Sequence, residues 1–149
     1  MQSLFEPSTR QQIRERLDGL QLASARRWGR MDPAQMLTHC SLALEMATGD
    51  QPMRQKLIGR ILAPFARSWV TTEKPFSKDM PTDPNFVVSD TRDFAREKDR
   101  LTQVLDRFCE LGPESAASRT HAFFGKLSGD EWGRLMFKHL DHHLRQFGA

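Results

Sequence analysis

Proline and glycine cut this chain into pieces, and the pieces between them carry apolar residues at helical spacing. Ser8 or Thr9 caps a first helix that runs to about Leu22, with Ile13, Leu17 and Leu20 on one stripe. Asp32 followed by Pro33 is an N-cap and first-turn pair. It opens a second helix carrying Met36, Leu37, Cys40, Leu44 and Ala47, which Gly49 ends. A third apolar stretch, from about Gln51 to Trp69, holds Leu57, Ile58, Ile61, Leu62 and Phe65, and Pro64 bends or ends it. Val70 to Ser89 contains Pro75, Pro81 and Pro84 and shows neither helical nor strand period, so a long loop is expected there, of the kind that forms lids and binding loops. The only strand-like run is Phe86-Val87-Val88. Ser89 or Asp90 opens a long helix to about Leu111, stopped by Gly112-Pro113. A connector with His121 follows. Ser128 and Glu131 then stand at capping-box spacing before a last helix to about Phe147. The expected fold is all-α: one domain over residues 1–149, an antiparallel four-helix bundle with an extra short helix and a long proline-rich loop.

Several function classes fall away. The chain of 149 residues has a formal net charge of +3 and 28% charged residues of both signs. Its densest basic cluster, Arg26, Arg27 and Arg30, lacks interleaved aromatic residues, so no nucleic-acid partner is expected. No run reaches the roughly 18 apolar residues of a membrane span, and the first residues lack the basic-then-apolar order of a signal peptide. No membrane partner is therefore expected. Cys40 and Cys109 match no zinc or redox spacing, which leaves a reducing cytoplasm as the default. There is no phosphate-binding glycine loop and no serine elbow. Cys40 adjoins His39, but neighbouring helical residues point about 100° apart, so it reads as core filler.

The chemistry lies in the histidines. His139 and His143 stand four apart, which puts two imidazoles on one helical face, able to converge on a cation. On a helical wheel Trp132, Met136, Leu140, Leu144 and Phe147 form an apolar sector. His139 and His143 fall in it or at its edge. His142 falls toward Lys138 and Arg145, and is read as near the surface. His39 shares its inward face with Met36 and Ala43, and is the candidate third ligand from another helix. A single inward histidine is more often a hydrogen-bonded core residue than a ligand. An inward pair alters that balance, because two unpartnered imidazoles in a core are costly. Three nitrogen ligands leave a coordination position open for water or substrate. His121, Gln35, Trp132 and Gln146 are candidates to line the surrounding pocket, although core or surface roles are simpler for each. Glu45 and Asp141 could orient a ligand histidine.

At these residues the sequence resembles the DinB/YfiT-like superfamily of small helical bundles. The pieces that carry the resemblance are Trp28 to Met31 with Pro33 to Cys40, and His139 to Gln146. His121 to Leu127 with Glu131-Trp132-Gly133, and Pro81 to Pro84 followed by Arg92-Asp93-Phe94 and Glu97, are similar to one uncharacterised branch. The resemblance covers about Trp28 to Gly148. It implies a four-helix bundle with a three-histidine divalent metal site, which maps onto His39, His139 and His143. It also implies a cofactor such as Zn, Ni or Fe, a small-molecule substrate that in some relatives is a low-molecular-weight thiol, and a homodimer. The expected activity is metal-dependent activation of a thiol or a water, as in an S-transferase or a hydrolase, with no general base identified. The alternative is a non-enzymatic metal-binding or stress-response bundle.

Overall fold

The computed structural model describes residues 1–80 and 82–149, so Pro81, one of the expected loop prolines, lies outside the described residues. Among these residues the chain is chiefly helical. The order is α1 (Pro7–Gly19), α2 (Pro33–Thr48), α3 (Leu57–Ala66), α4 (Ser68–Thr71), a 3-10 turn (Pro84–Phe86), α5 (Phe94–Ala117), β1 (Thr120–His121), β2 (Gly125–Lys126) and α6 (Gly129–Gln146).

Helix starts follow local chemistry, and two differ from expectation. Pro7 occupies the first turn of α1, and its fixed φ starts the helix one residue ahead of the expected Ser8 or Thr9 cap. Thr9 lies inside the helix, where its hydroxyl donates to Glu6 at 3.1 Å. The helix ends at Gly19, short of Leu22, which is exposed. Asp93, rather than Ser89 or Asp90, caps α5, its carboxylate accepting from the Arg96 amide at 2.8 Å. Asp32 and Gln35 form a reciprocal capping box on α2, and Ser128 and Glu131 form one on α6. Gly49 ends α2 in the left-handed region at φ 87°. Gly112 (φ 75°) breaks the helical path at the expected stop, after which the chain takes further helical turns to Ala117.

Residues 86–88 do not form the expected strand. The Asp83 carboxylate accepts from the Asn85 amide at 2.9 Å, and Pro84 starts a 3-10 turn that ends at Phe86. Strand pairing occurs instead in the connector. There Thr120 faces Lys126 and His121 faces Gly125 in a two-stranded antiparallel hairpin.

α2 packs along α5, and α6 packs on both as well as on α1 and α4. Trp132, Phe108, Leu37, Leu44, Leu101, Leu105 and Leu140 are essentially removed from solvent between them. α3 is different. Its buried residues are Gly59, Ala63 and Ala66, while Leu57, Ile58, Ile61, Leu62 and Phe65 face solvent. Pro64 does not end this helix, which runs two residues past it. The small inner face is required by a close approach: a β-carbon on Gly59 would lie 2.4 Å from the Phe123 carbonyl oxygen in the hairpin.

Leu105 is fully buried between α5 and its neighbours, so Leu105→Ala removes packed methyl groups and leaves a void. The expected loss of unfolding free energy is about 2–5 kcal/mol. Urea denaturation of the variant checks this, and a loss below about 1 kcal/mol would contradict the packing described.

Candidate metal centre

α2 and α6 carry three histidines into one place. His39 and His143 are buried and His139 is partly buried, and one ligand nitrogen from each lies within 4.8 Å of the others. The ring centroids are 4.7 Å apart for His39 and His143, 4.8 Å for His139 and His143, and 4.9 Å for His39 and His139. This trio could hold a metal ion.

Hydrogen bonds fix where two of the rings carry their protons. His39 Nδ1 lies 2.8 Å from the Phe86 carbonyl oxygen. A carbonyl only accepts, so the proton is on Nδ1 and Nε2 presents a lone pair. Gln146 Nε2 donates to the Trp28 carbonyl at 2.7 Å, which orients the amide so that its Oε1 faces His143 Nδ1 at 3.0 Å. His143 therefore also carries its proton on Nδ1 and leaves Nε2 open. His39 Nε2 stands 3.0 Å from His139 Nε2. Two imidazole nitrogens sharing one ion at about 2.1 Å, with angles near 90–109°, lie about 3.0–3.4 Å apart. The His39–His139 approach fits a shared cation, and without one it is the length of a hydrogen bond from His139 Nε2 to the open His39 Nε2.

The electrostatics agree with that donor set. Burial pushes the His143 imidazole down to about 3 and holds His39 and His139 below the ordinary histidine range, His139 well below it. Neighbouring imidazoles add to this, His39 acting on both His139 and His143. Only neutral imidazole coordinates, so the site is held in its ligating form across neutral pH.

The other candidate residues divide. Gln146 is part of the centre, through its bond to His143. Gln35 is taken up by helix capping, its Oε1 accepting from the Asp32 amide and its Nε2 donating to the Asp90 carbonyl. Trp132 is buried core, its ring 5.4 Å from that of His121. His121 sits in the hairpin, where Nδ1 accepts from the amides of Phe123 (3.0 Å) and Phe124 (3.2 Å). Burial lowers it to about 4. It holds the opposite tautomer from His39 and His143, and its Nδ1 serves the turn. Glu45 and Asp141 do not touch the ligand histidines: Glu45 pairs with Arg100, and Asp141 with Arg16 and Arg145. His39 is oriented instead by the Phe86 carbonyl, and His143 by Gln146, whose amide the Trp28 carbonyl holds; a backbone carbonyl has no signature in sequence. Cys40 is buried, its thiol raised by desolvation, as a core residue.

His142 is not at the open surface. Its ring lies 5.5 Å from Trp28, 6.2 Å from Phe76 and 5.0 Å from His143, and burial lowers its pKa. It lines a cleft of about 340 Å³ with Trp28, Phe76, Lys78, Lys138 and Arg145. Part of the expected proline-rich loop thus forms one wall of a cleft beside the histidine trio. Lys138 fastens that wall: its ammonium donates to the carbonyls of Trp69 and Thr72 and lies 5.0 Å over the Phe76 ring.

The model of a family described as protein of unknown function, DUF1569, matches residues 5–149. No curated protein and no solved structure matches the chain.

The lowered imidazoles make metal-free protein sensitive to acid. Unfolded histidines titrate near about 6.5, so below that pH the unfolded chain binds more protons than the folded one. Stability from the neutral rings is complete above about 6.5 and declines as pH falls toward the folded values, by up to about 1.4 kcal/mol per pH unit for each ring. Chelator-treated protein is expected to show a urea midpoint that drops steadily from about pH 7 to pH 5. An unchanged midpoint across that interval would contradict the burial of neutral rings.

Proposed function

The chain belongs to the DUF1569 family, and on that premise we propose that it is a divalent-metal-dependent enzyme of DinB-like build. The reading takes α1, α2, α5 and α6 as the four helices of one antiparallel bundle over residues 1–149. His39, His139 and His143 are then the ligands of Zn, Ni or Fe. The observation that carries it is the pair of fixed tautomers: two rings from different helices turn unprotonated Nε2 atoms into the place where His139 Nε2 also arrives.

A divalent ion held there supplies Lewis acidity, which brings a bound thiol or water toward ionisation at neutral pH. The chain's own groups do the rest. Phe86 carbonyl and Gln146 hold protons on Nδ1 of His39 and His143, and so keep the ligand atoms aimed. The trio contains no carboxylate, and no general base is assigned.

The adjoining cleft supports the substrate class. Trp28 and Phe76 give it aromatic walls, and Lys78, Lys138 and Arg145 give it cations. Asp141 pairs with Arg16 and Arg145, and Glu73 with the N-terminal ammonium at 3.3 Å, which leaves Lys78 and Lys138 as lining cations that make no ion pair with a described residue. Such a cleft suits a small anionic molecule, and low-molecular-weight thiols that carry carboxylates belong to that class. The cleft is also what favours an enzyme over a bundle that uses metal only for stability. S-transfer or hydrolysis at the metal is the reaction type that follows.

Protein loaded with Zn²⁺ or Ni²⁺ and dialysed is expected to retain about one ion per chain by elemental analysis, as a three-nitrogen site requires. His39→Ala should abolish retention. Gln146→Ala should weaken it by about 10–100-fold, because the His143 ring loses its orienting acceptor. Wild-type protein that retains no ion overturns the reading.

A catalytic metal also predicts a fold that outlives it. The buried apolar residues between α2, α5 and α6 do not depend on a cation. Chelator-treated protein should keep its far-ultraviolet circular dichroism at 25 °C and neutral pH. Collapse to an unfolded spectrum would assign the metal a structural role, as in proteins whose folding is coupled to metal binding.

A further inference from the structure

α3 presents its large side chains to solvent and its small ones to the protein. Leu57 is 74% exposed, Ile61 68% and Phe65 84%, with Ile58 and Leu62 beside them. At about 100° per residue these five span an arc of about 140°. Trp69, at the start of α4, extends the exposed apolar surface and stacks on Phe123. Isolated exposed apolar residues are ordinary, whereas a contiguous face of this kind marks a surface that is covered in use.

The charges around it identify the cover. Residues 54–74 hold five basic side chains, Arg54, Lys56, Arg60, Arg67 and Lys74, against one acid, Glu73, for a local net charge of +4. Lys56 is paired with Asp83 and Arg67 with Glu131. Arg54, Arg60 and Lys74 are exposed and make no ion pair with a described residue. Arg60 borders the apolar arc, Arg54 precedes it and Lys74 follows it. An apolar face with cations at its edge and ends is the arrangement of a helix that lies in the headgroup layer of an anionic bilayer.

A second copy of the chain fits less well. The helix is about 15 Å long, and one such face falls short of the roughly 800 Å² that each partner buries in a standard interface. Packing two copies face to face would also bring like charges together. No helix among the described residues is long and apolar enough to cross a membrane. The contact is therefore interfacial.

We propose that α3 docks this protein on anionic lipid surfaces, with Leu57, Ile58, Ile61, Leu62 and Phe65 among the acyl chains and Arg54, Arg60 and Lys74 on the phosphates. The absence of a membrane span led the sequence reading to expect no membrane partner. The outward orientation of α3 is what alters that conclusion, and it does so independently of the metal centre.

The test is co-sedimentation of the full chain with vesicles of phosphatidylcholine alone and with vesicles of equal parts phosphatidylcholine and phosphatidylglycerol. Wild-type protein should pellet with the anionic vesicles at about 0.05 M NaCl and be largely released at about 0.5 M. It should stay in solution with the neutral ones. The double variant I61D/F65D should lose binding, and R54E/R60E should weaken it by about tenfold or more. All four positions point outward, and thermal melts matching wild type would show both variants folded. Failure of the wild type to pellet with anionic vesicles overturns the proposal. So does equal binding by I61D/F65D. A dimer in sedimentation velocity that I61D/F65D dissociates, without vesicle binding, would give the face to a second copy and likewise overturn it.

Discussion

A histidine ring can aim one nitrogen only if something holds the proton on the other, and in this fold two carbonyl groups of the main chain do that work. Phe86 accepts from His39 directly. Trp28 acts one step removed, by taking the Gln146 amide and turning its oxygen toward His143. Both carbonyls lie outside the long helices, where backbone acceptors are free to be used. Within a helix the Phe86 oxygen would be spent on the next turn; the 3-10 turn that ends at Phe86 leaves it available. The capacity of the trio to hold a metal ion therefore depends on loops as much as on helices. A hydrogen bond of this kind has a net worth of only about 0.5–1.5 kcal/mol, but losing it leaves a buried donor unmet at about 1–3 kcal/mol. The larger figure is what keeps each ring from turning.

The same logic explains why the hairpin and α3 belong to the architecture although neither carries a ligand. His121 spends Nδ1 on two amides of its own turn, which ties the hairpin turn together as a shelf. α3 then lies against that shelf closely enough to need Gly59 at the contact, with Gln55 donating to the Phe123 carbonyl and the Lys56 amide to that of Ala122. From there the chain passes through α4 to the carbonyls of Trp69 and Thr72, which Lys138 of α6 gathers. Lys138 is the neighbour of His139. The segment between α2 and α5 is thus pinned at one end to the hairpin and at the other to the helix that bears two of the three histidines.

Sequence legibility followed the range of the interactions involved. Caps and stops act within four residues, and Asp32, Gly49, Gly112 and Ser128 were all readable. Pro7 and Asp93 moved two helix starts because a fixed φ and a better-placed carboxylate displaced weaker signals nearby. The wheel turned His139 and His143 inward because an inward face is a property of one helix, and α2 has an equally clear inward face for His39; the fold brings the three rings together. It set His142 apart from the other two, toward the surface, but could not show the cleft that half-buries it, whose walls Trp28 and Phe76 lie far away in the chain. It gave no warning of α3 either. Periodicity shows that a helix has an apolar face, but the direction of that face depends on which neighbour leaves less room. Here the Phe123 carbonyl leaves no room for a side chain at Gly59, and the bulkier arc turns outward.

α6 consequently has two working sides about 100° apart. Its dry side offers His139, His143 and Gln146 to the trio. Its wetter side offers Lys138, His142 and Arg145 to the cleft. The rings of His142 and His143 meet edge to face at 5.0 Å between them. A molecule in the cleft would therefore press on a ring that touches one of the trio without entering the trio itself. That arrangement separates the cleft from the three histidines along one helix. Under the function proposed above, substitutions on the cleft side should change which molecules are accepted, and those on the trio side should change whether a cation is held at all.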